Sequence, residues 1–283
     1  MDILLALLPA IAWGNVLLVS VKMGGGAYSQ TVGMTIGALF FASIMFAFTQ
    51  PTLTLTVLIV GFISGIFWAL GQVNQLKTVE TLGVSTTVTI STGMQLVATS
   101  IFGVIVFHEW TTTTTIILGT IAILLIVVGV VFTSLDDKEN AQPPGQFKKG
   151  ILTLILSTFG YLVYVIIIRW YNIDGWAAIL PQAVGMFAGA VLLTAKHKPF
   201  NKYAIRNILS GLLWGTGNLF LFLSQPKVGV ATSFSLSQTG IVISTFGAIV
   251  FLGEKKTKRQ MVFIALGSVL IIGGAVLLGL TKK

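Results

Sequence analysis

The chain has 283 residues, of which only 9% are charged and 55% are hydrophobic, and its mean hydropathy is +0.95. Soluble domains carry about 25% charged residues, so this composition excludes an ordinary soluble protein and predicts a membrane protein. The net charge of +9 does not indicate nucleic-acid binding, because the positive residues collect in loops, and a sequence without cysteine excludes disulfides and thiolate metal sites.

Lysine and arginine divide the chain into nine charge-poor runs that predict membrane-spanning helices. Roughly 20 helical residues cross a hydrocarbon core of ~30 Å, and eight runs have the length of one span. The run 23–76 is long enough for two spans and is interrupted at Thr49, Gln50 and Pro51, which favour a turn. The ten predicted helices therefore lie in the runs 3–21, 23–76, 81–108, 110–135, 150–168, 175–195, 207–226, 228–253 and 260–281.

The loop charges predict an orientation in the membrane. If the loops alternate between the two sides, thirteen Lys and Arg residues fall on one side and four on the other. Positive loops face the cytoplasm, so both termini are expected outside the cell.

The sequence repeats itself over almost its whole length. QTVGMTIGALFF at 30–41 and QAVGMFAGAVLL at 182–193 share six of twelve residues, and SGIFWALGQ at 64–72 matches SGLLWGTGN at 210–218 at an offset of 146. We predict two five-helix repeats, 1–135 and 150–283, joined by a cytoplasmic linker at 136–149. Because five is odd, the second repeat enters the membrane inverted, an organisation typical of secondary transporters with a site between the repeats near the midplane.

Two glycine pairs within this repeat predict close helix packing. Gly33 and Gly37, like Gly185 and Gly189, are four residues apart on one helical face, where another helix can approach closely. Static packing without any part in transport is the alternative role for these glycines.

The ten helices in two copies, with "WG" in the first, a glycine-rich second, and Glu before a GxxxIxxGxV helix, resemble the drug/metabolite transporter superfamily. LPAIAWGN at 8–15, GQVNQLKTVETLGVSTTVTISTGMQLV at 71–97 and GNLFLFLSQPKVGVATSFSLSQTG at 217–240 are similar to its bacterial glucose-uptake and ribose-transport family. The resemblance implies an all-α integral membrane protein of the bacterial plasma membrane that takes up a monosaccharide, glucose before ribose, with proton symport and without a cofactor. Another small neutral metabolite, and uncoupled facilitated diffusion, stay open as alternatives.

The predicted spans contain the residue types that a neutral sugar requires, which are carboxamides, hydroxyls and aromatic rings. Trp68 and Gln72 share one helical face, and Trp214 and Asn218 are their repeat counterparts. Interhelical hydrogen bonding is the alternative role for the carboxamides, and packing against lipid is the alternative for the tryptophans. The candidate sugar-binding residues are Trp13, Asn15, Trp68, Gln72, Gln95, Trp214 and Asn218.

Proton coupling needs a titrating group on the pathway. The titratable residues that could serve are Glu80, His108, Glu109, Asp174 and Glu254, and the coupling candidates among them are Glu80, Glu109 and Glu254. Glu109 and Glu254 directly precede the fifth and tenth helices, where capping of free N–H groups is the favoured alternative. For Glu80 the alternative is a surface ion pair with Lys77. The spans contain no spacing of metal ligands or catalytic residues, so neither an enzyme nor a metal site is predicted, and the oligomeric state is left open.

Overall fold

The structure is a computed structural model, and it describes residues 2–133, 135, 145–228, 233 and 236–281. Within these residues the backbone forms helices joined by short turns. The helices are α1 (Asp2–Met23), α2 (Ala27–Thr49), α3 (Leu55–Leu82), α4 (Val84–Phe107), α5 (Thr113–Thr133), α6 (Gln146–Trp170), α7 (Gly175–Thr194), α8 (Lys202–Val228), α9 (Gly240–Phe251) and α10 (Lys258–Thr281), with a 3-10 turn at Ala195–His197.

Eight of the described helices, α1 to α7 and α10, are long and apolar enough to cross a membrane. The prediction of an all-α membrane protein is therefore confirmed. Helix α9 has 12 residues, which corresponds to about 18 Å and is shorter than a hydrocarbon core. Part of the predicted span 228–253 lies outside the described residues, so the count of ten spans stays a prediction.

The predicted break between the second and third helices is confirmed. Helix α2 ends at Thr49, and Gln50 adopts a left-handed φ of 40° while its N–H donates to the carbonyl of Phe46. Pro51 lies in the connection before α3 starts at Leu55. Proline lacks an N–H and suits this position, since it cannot continue a helix.

The helices divide into two compact units. The first unit comprises residues 1–18, 82–147 and 217–283, and the second comprises residues 19–81 and 148–216. Each unit therefore combines helices from both halves of the sequence. The repeat boundaries at 1–135 and 150–283 stay a prediction, and residues 136–144 of the predicted linker lie outside the described residues.

In the second unit, the glycine pair of α2 packs against α8. Gly33 lies against the backbone of Ala204, and Gly37 lies against that of Ile208. A Cβ atom on either glycine would collide with the carbonyl oxygen of the residue that it faces. The predicted close approach of two helix backbones is confirmed at this pair.

The second glycine pair repeats this arrangement between α7 and α3. Gly185 lies against the backbone of Phe62. An ideal Cβ on Gly189 would lie 2.9 Å from the Cα atom of Ile66. The second helix of each repeat thus packs on the third helix of the other repeat. These two contacts hold α3 and α8 in the second unit.

The first unit is built around the packing of α5 on α10. Gly129 and Gly267 face each other, and a Cβ on Gly129 would lie 2.7 Å from the carbonyl oxygen of Gly267. Helix α4 packs on both α5 and α9. Helix α1 joins this unit through Gly14, whose carbonyl accepts a hydrogen bond from the Ser244 hydroxyl of α9 at 2.7 Å.

Candidate functional site

Three aromatic side chains meet in the second unit and form what we call the aromatic cluster. Trp68, Tyr161 and Trp214 lie near the middle of α3, α6 and α8, respectively. The ring centroid of Trp68 is 5.3 Å from that of Trp214 and 6.3 Å from that of Tyr161, and both pairs are edge-to-face. Trp68 is only 2% exposed, so it does not belong to a belt of tryptophans at the membrane interface.

Hydrogen bonds join the aromatic cluster to two carboxamides of α3. The Tyr161 hydroxyl lies 2.6 Å from Oε1 of Gln72 and 3.1 Å from Oε1 of Gln75. Gln72 is only 4% exposed, and its Nε2 has no hydrogen-bond partner among the described residues. A buried donor without a partner costs about 1–3 kcal/mol, so a ligand that accepts from this N–H would remove a real penalty.

The structure brings together three of the predicted sugar-binding residues, which are Trp68, Gln72 and Trp214. Tyr161 was not predicted, although the repeat contained a signal for it. It follows Asn15 at an offset of 146, the same offset that relates Trp68 to Trp214. Gln75 had no such signal, because its counterpart at this offset is the apolar Leu221.

The other four predicted residues lie in the first unit. Trp13 of α1 packs against Gly217 of α8, and a Cβ on this glycine would collide with the indole ring. Gly217 directly precedes Asn218 in the sequence. The side-chain amide of Asn15 donates to the carbonyl of Ile11 in the same helix, at a distance of 2.7 Å. The predicted sugar-binding role of these residues stays a prediction.

Gln95, the remaining residue of the predicted set, also bonds within its own helix. Its Nε2 donates to the hydroxyl of Ser91 on α4 at 3.0 Å. The two residues are four apart in sequence, so both side chains lie on one face of this helix.

Glu80 secures the start of α2 within the second unit. Its Oε1 accepts a hydrogen bond from the Ala27 N–H at 2.6 Å, although the two residues belong to different helices. Lys77, the ion-pair partner considered for Glu80, places its Nζ 5.1 Å from the centroid of the Tyr28 ring. The geometry gives Glu80 a structural role at the first turn of α2, where a carboxylate also complements the helix dipole.

Glu254 caps a helix, as predicted, but the helix is not the one that follows it. Its carboxylate accepts from the N–H groups of Val84 and Ser85 at the start of α4. Helix α10 begins instead with a reciprocal pair, in which Thr257 Oγ1 accepts from the Gln260 N–H and Gln260 Oε1 accepts from the Thr257 N–H. The sequence Thr-x-x-Gln is a capping-box pattern, and it leaves Glu254 available for α4.

Glu109 lies beside the helix that precedes it rather than at the start of α5. Its N–H donates to the Gly103 carbonyl at 3.3 Å, and its carboxyl carbon is 2.8 Å from an ideal Cβ on Gly103. Helix α5 begins with mutual hydrogen bonds between Thr112 and Thr115. Thr112 thus caps the start of α5, and a capping role for the Glu109 carboxylate stays a prediction.

The described residues contain no group of three or more His, Asp or Glu side chains that would hold a metal ion. The aromatic cluster and the two carboxamides bonded to it are neutral groups, namely two indoles, a phenol, and the amides of Gln72 and Gln75.

Comparison with known proteins identifies the family to which this chain belongs. Residues 4–281 match the family described as "Sugar transport protein". The chain is 91% identical over 282 residues to a "Putative sugar uptake protein" of Bacillus cereus, with 100% of both chains covered. It is 61% identical over 284 residues to the "Glucose uptake protein GlcU" of Bacillus subtilis, covering 100% of this chain and 99% of that one. A crystal structure at 14% sequence identity superimposes with a TM-score of 0.60 over 99% of this chain and 97% of the other, and so shares the fold.

Proposed function

Since the chain belongs to the sugar transport protein family, we propose that it takes up a monosaccharide across the bacterial plasma membrane. Glucose is the first candidate substrate, because curated relatives at 61% identity are named for glucose uptake. Ribose or another small neutral metabolite is the alternative.

The observation that carries this proposal is the buried Nε2 of Gln72 beside the aromatic cluster. A sugar hydroxyl is an acceptor that satisfies such a donor without bringing a charge into the membrane. The rings of Trp68 and Trp214 offer apolar surface to the C–H groups of a sugar ring. A phosphorylated sugar would instead require Lys or Arg at the site to neutralise its charge.

We propose alternating access with proton symport as the mode of uptake. Symport requires a titrating side chain that meets the sugar pathway. Glu80 and Glu254 already bind backbone N–H groups at the starts of α2 and α4, which supports structural roles for both. Glu109 is the third candidate, and Glu→Gln substitution of each of the three residues tests which one couples the proton gradient to uptake.

The test is uptake of labelled glucose into proteoliposomes containing the purified chain, with and without an inward proton gradient, and with unlabelled ribose as competitor. Gradient-driven accumulation supports symport, whereas equilibration that ignores the gradient establishes facilitated diffusion. Absence of glucose entry under both conditions rejects glucose as the substrate. Competition by ribose in the absence of glucose entry moves the proposal to ribose.

Substitution of the carboxamides then tests the site itself. Gln72→Ala removes one neutral hydrogen bond to the sugar, so KM should rise about 2- to 10-fold. Asn218→Ala, at the counterpart position, should likewise reduce uptake while the protein still reaches the membrane. The matched control is Gln182→Ala, which removes an interhelical hydrogen bond to the Ser64 hydroxyl of 2.9 Å. A control that lowers uptake as much as Gln72→Ala would assign Gln72 to helix packing alone.

A further inference from the structure

Tyr161 stands between two carboxamides, and its single hydroxyl hydrogen decides how they are arranged. The hydroxyl lies 2.6 Å from Oε1 of Gln72 and 3.1 Å from Oε1 of Gln75. A phenol donates only one hydrogen bond, and the shorter distance assigns this bond to Oε1 of Gln72. Gln75 therefore satisfies the phenol best with its NH2 group turned toward the hydroxyl oxygen, since amide oxygen and nitrogen exchange places by a simple flip.

We propose that Tyr161 is a positioning residue: it fixes which atom of the Gln72 amide faces the sugar, and so makes this position of the site a hydrogen-bond donor. Gln75 donates to Tyr161, Tyr161 donates to the Oε1 of Gln72, and the Nε2 of Gln72 is left to donate to the substrate. Each hydrogen bond in such a chain polarises the next. The inference rests on the proposed sugar uptake and adds that the site offers a donor, so it selects an oxygen that accepts.

The phenol has little freedom to leave this position. Tyr161 is 8% exposed, and its Cγ atom is 2.9 Å from an ideal Cβ on Gly71, so the ring packs directly on the backbone of α3. One turn earlier on α6, the Ser157 hydroxyl donates to the carbonyl of Gly71 at 2.7 Å. The ring of Trp68, which is edge-to-face with that of Tyr161, packs on a further side. These contacts hold the hydroxyl against Gln72 before any sugar arrives.

A fixed donor makes a specific demand on the substrate. At the sugar position that Gln72 contacts, replacing the hydroxyl by fluorine keeps an acceptor, whereas replacing it by hydrogen removes both donor and acceptor. The deoxyfluoro analogue should therefore compete for uptake better than the deoxy analogue at that one position. Without Tyr161 to hold it, the amide is free to flip and accept, and this preference should disappear.

The experiment measures competition of labelled glucose uptake in proteoliposomes by deoxy and deoxyfluoro glucose, taking each hydroxyl position in turn. In the wild-type chain, one position should favour the fluoro analogue by up to about fivefold, since one neutral hydrogen bond sets the upper limit and fluorine accepts more weakly than oxygen. In Tyr161→Phe, which keeps the ring, this ratio should fall toward one. Tyr164→Phe makes the same chemical change three residues later on α6 and should keep the wild-type ratio.

The outcomes separate this inference from the proposed function. Wild-type uptake of glucose without any fluoro-preferring position overturns the donor polarity, even if Tyr161→Phe does not reach the membrane. A Tyr161→Phe variant that transports with the wild-type ratio overturns the positioning role and leaves sugar uptake standing. A wild-type chain that transports no sugar rejects the proposed function and the inference with it.

Discussion

Replacement of Gly185 by alanine tests the helix contact that repeats in the two halves of the sequence. Gly185 lies on α7 against the backbone of Phe62 on α3. An ideal Cβ at this position would lie 2.7 Å from the carbonyl carbon of Phe62 and would collide with its oxygen. Carbon atoms in contact prefer about 3.5–4.0 Å, so the two backbones must separate by about 1 Å.

The expected cost follows from two opposing effects. Overpacking of a well-packed contact costs about 1–3 kcal/mol, while alanine in place of glycine stabilises a helix interior by about 0.8–1.0 kcal/mol. The control is Gly273→Ala on α10, where an added Cβ meets no described atom within 4 Å. This control gains the helix propensity without the collision, so the two variants should differ by about 1–3 kcal/mol.

The assay is thermal unfolding of the purified variants in one detergent, followed by the loss of the monodisperse peak in size-exclusion chromatography. The Gly185→Ala variant should unfold several degrees below Gly273→Ala, roughly 2–10 °C for a chain of this size. Equal unfolding temperatures, or a more stable Gly185→Ala, would refute the close contact between α7 and α3. Uptake by Gly185→Ala at low temperature would further separate a packing role from a transport role.

Three further predictions concern the helix starts and the termini. Asp174 accepts from two N–H groups at the start of α7, so Asp174→Ala should lower stability in the same assay by about 0.5–2 kcal/mol, and Asp174→Asn by clearly less; equal losses would contradict capping. Glu254→Gln should retain gradient-driven sugar accumulation, because the Glu254 carboxylate binds backbone N–H groups at the start of α4; loss of the gradient effect in a variant that still equilibrates the sugar would assign Glu254 to proton coupling. Because the sequence contains no cysteine, a single cysteine introduced at either terminus should react with an impermeant maleimide on intact cells, and protection of both would reverse the predicted orientation.

Much of the fold was predictable because membrane helices leave strong sequence signals. A charge-free run of about 20 residues can cross a bilayer only as a helix or as part of a closed barrel. Eight of the described helices are long and apolar enough to be such spans. The proline and polar residues at 49–51 end α2 as expected. The glycine pairs were predictable for the same reason, since only a missing side chain permits the backbone contacts of Gly33 and Gly185.

The grouping of helices into units was not predictable from the same signals. The repeat shows which helices are equivalent, but it contains no statement about which helix packs on which. Gly33 packs on α8 and Gly185 packs on α3, so each repeat uses the other as its partner. A pattern of small residues identifies a contact face without identifying the surface that it meets.

Part of the candidate site was predictable from the sequence, and Tyr161, which was not predicted, shows why the rest was not. Trp68, Gln72 and Trp214 were found because aromatic rings and carboxamides are conspicuous inside apolar spans. Tyr161 was missed because its counterpart Asn15 is chemically different and bonds to its own helix at Ile11. The sequence repeat preserves position more strictly than chemistry, so corresponding residues can have different roles in the two units. The phenol at Tyr161 orients a carboxamide, a task that the shorter Asn15 does not perform on α1, and the two halves of the chain are therefore expected to contact the sugar unequally.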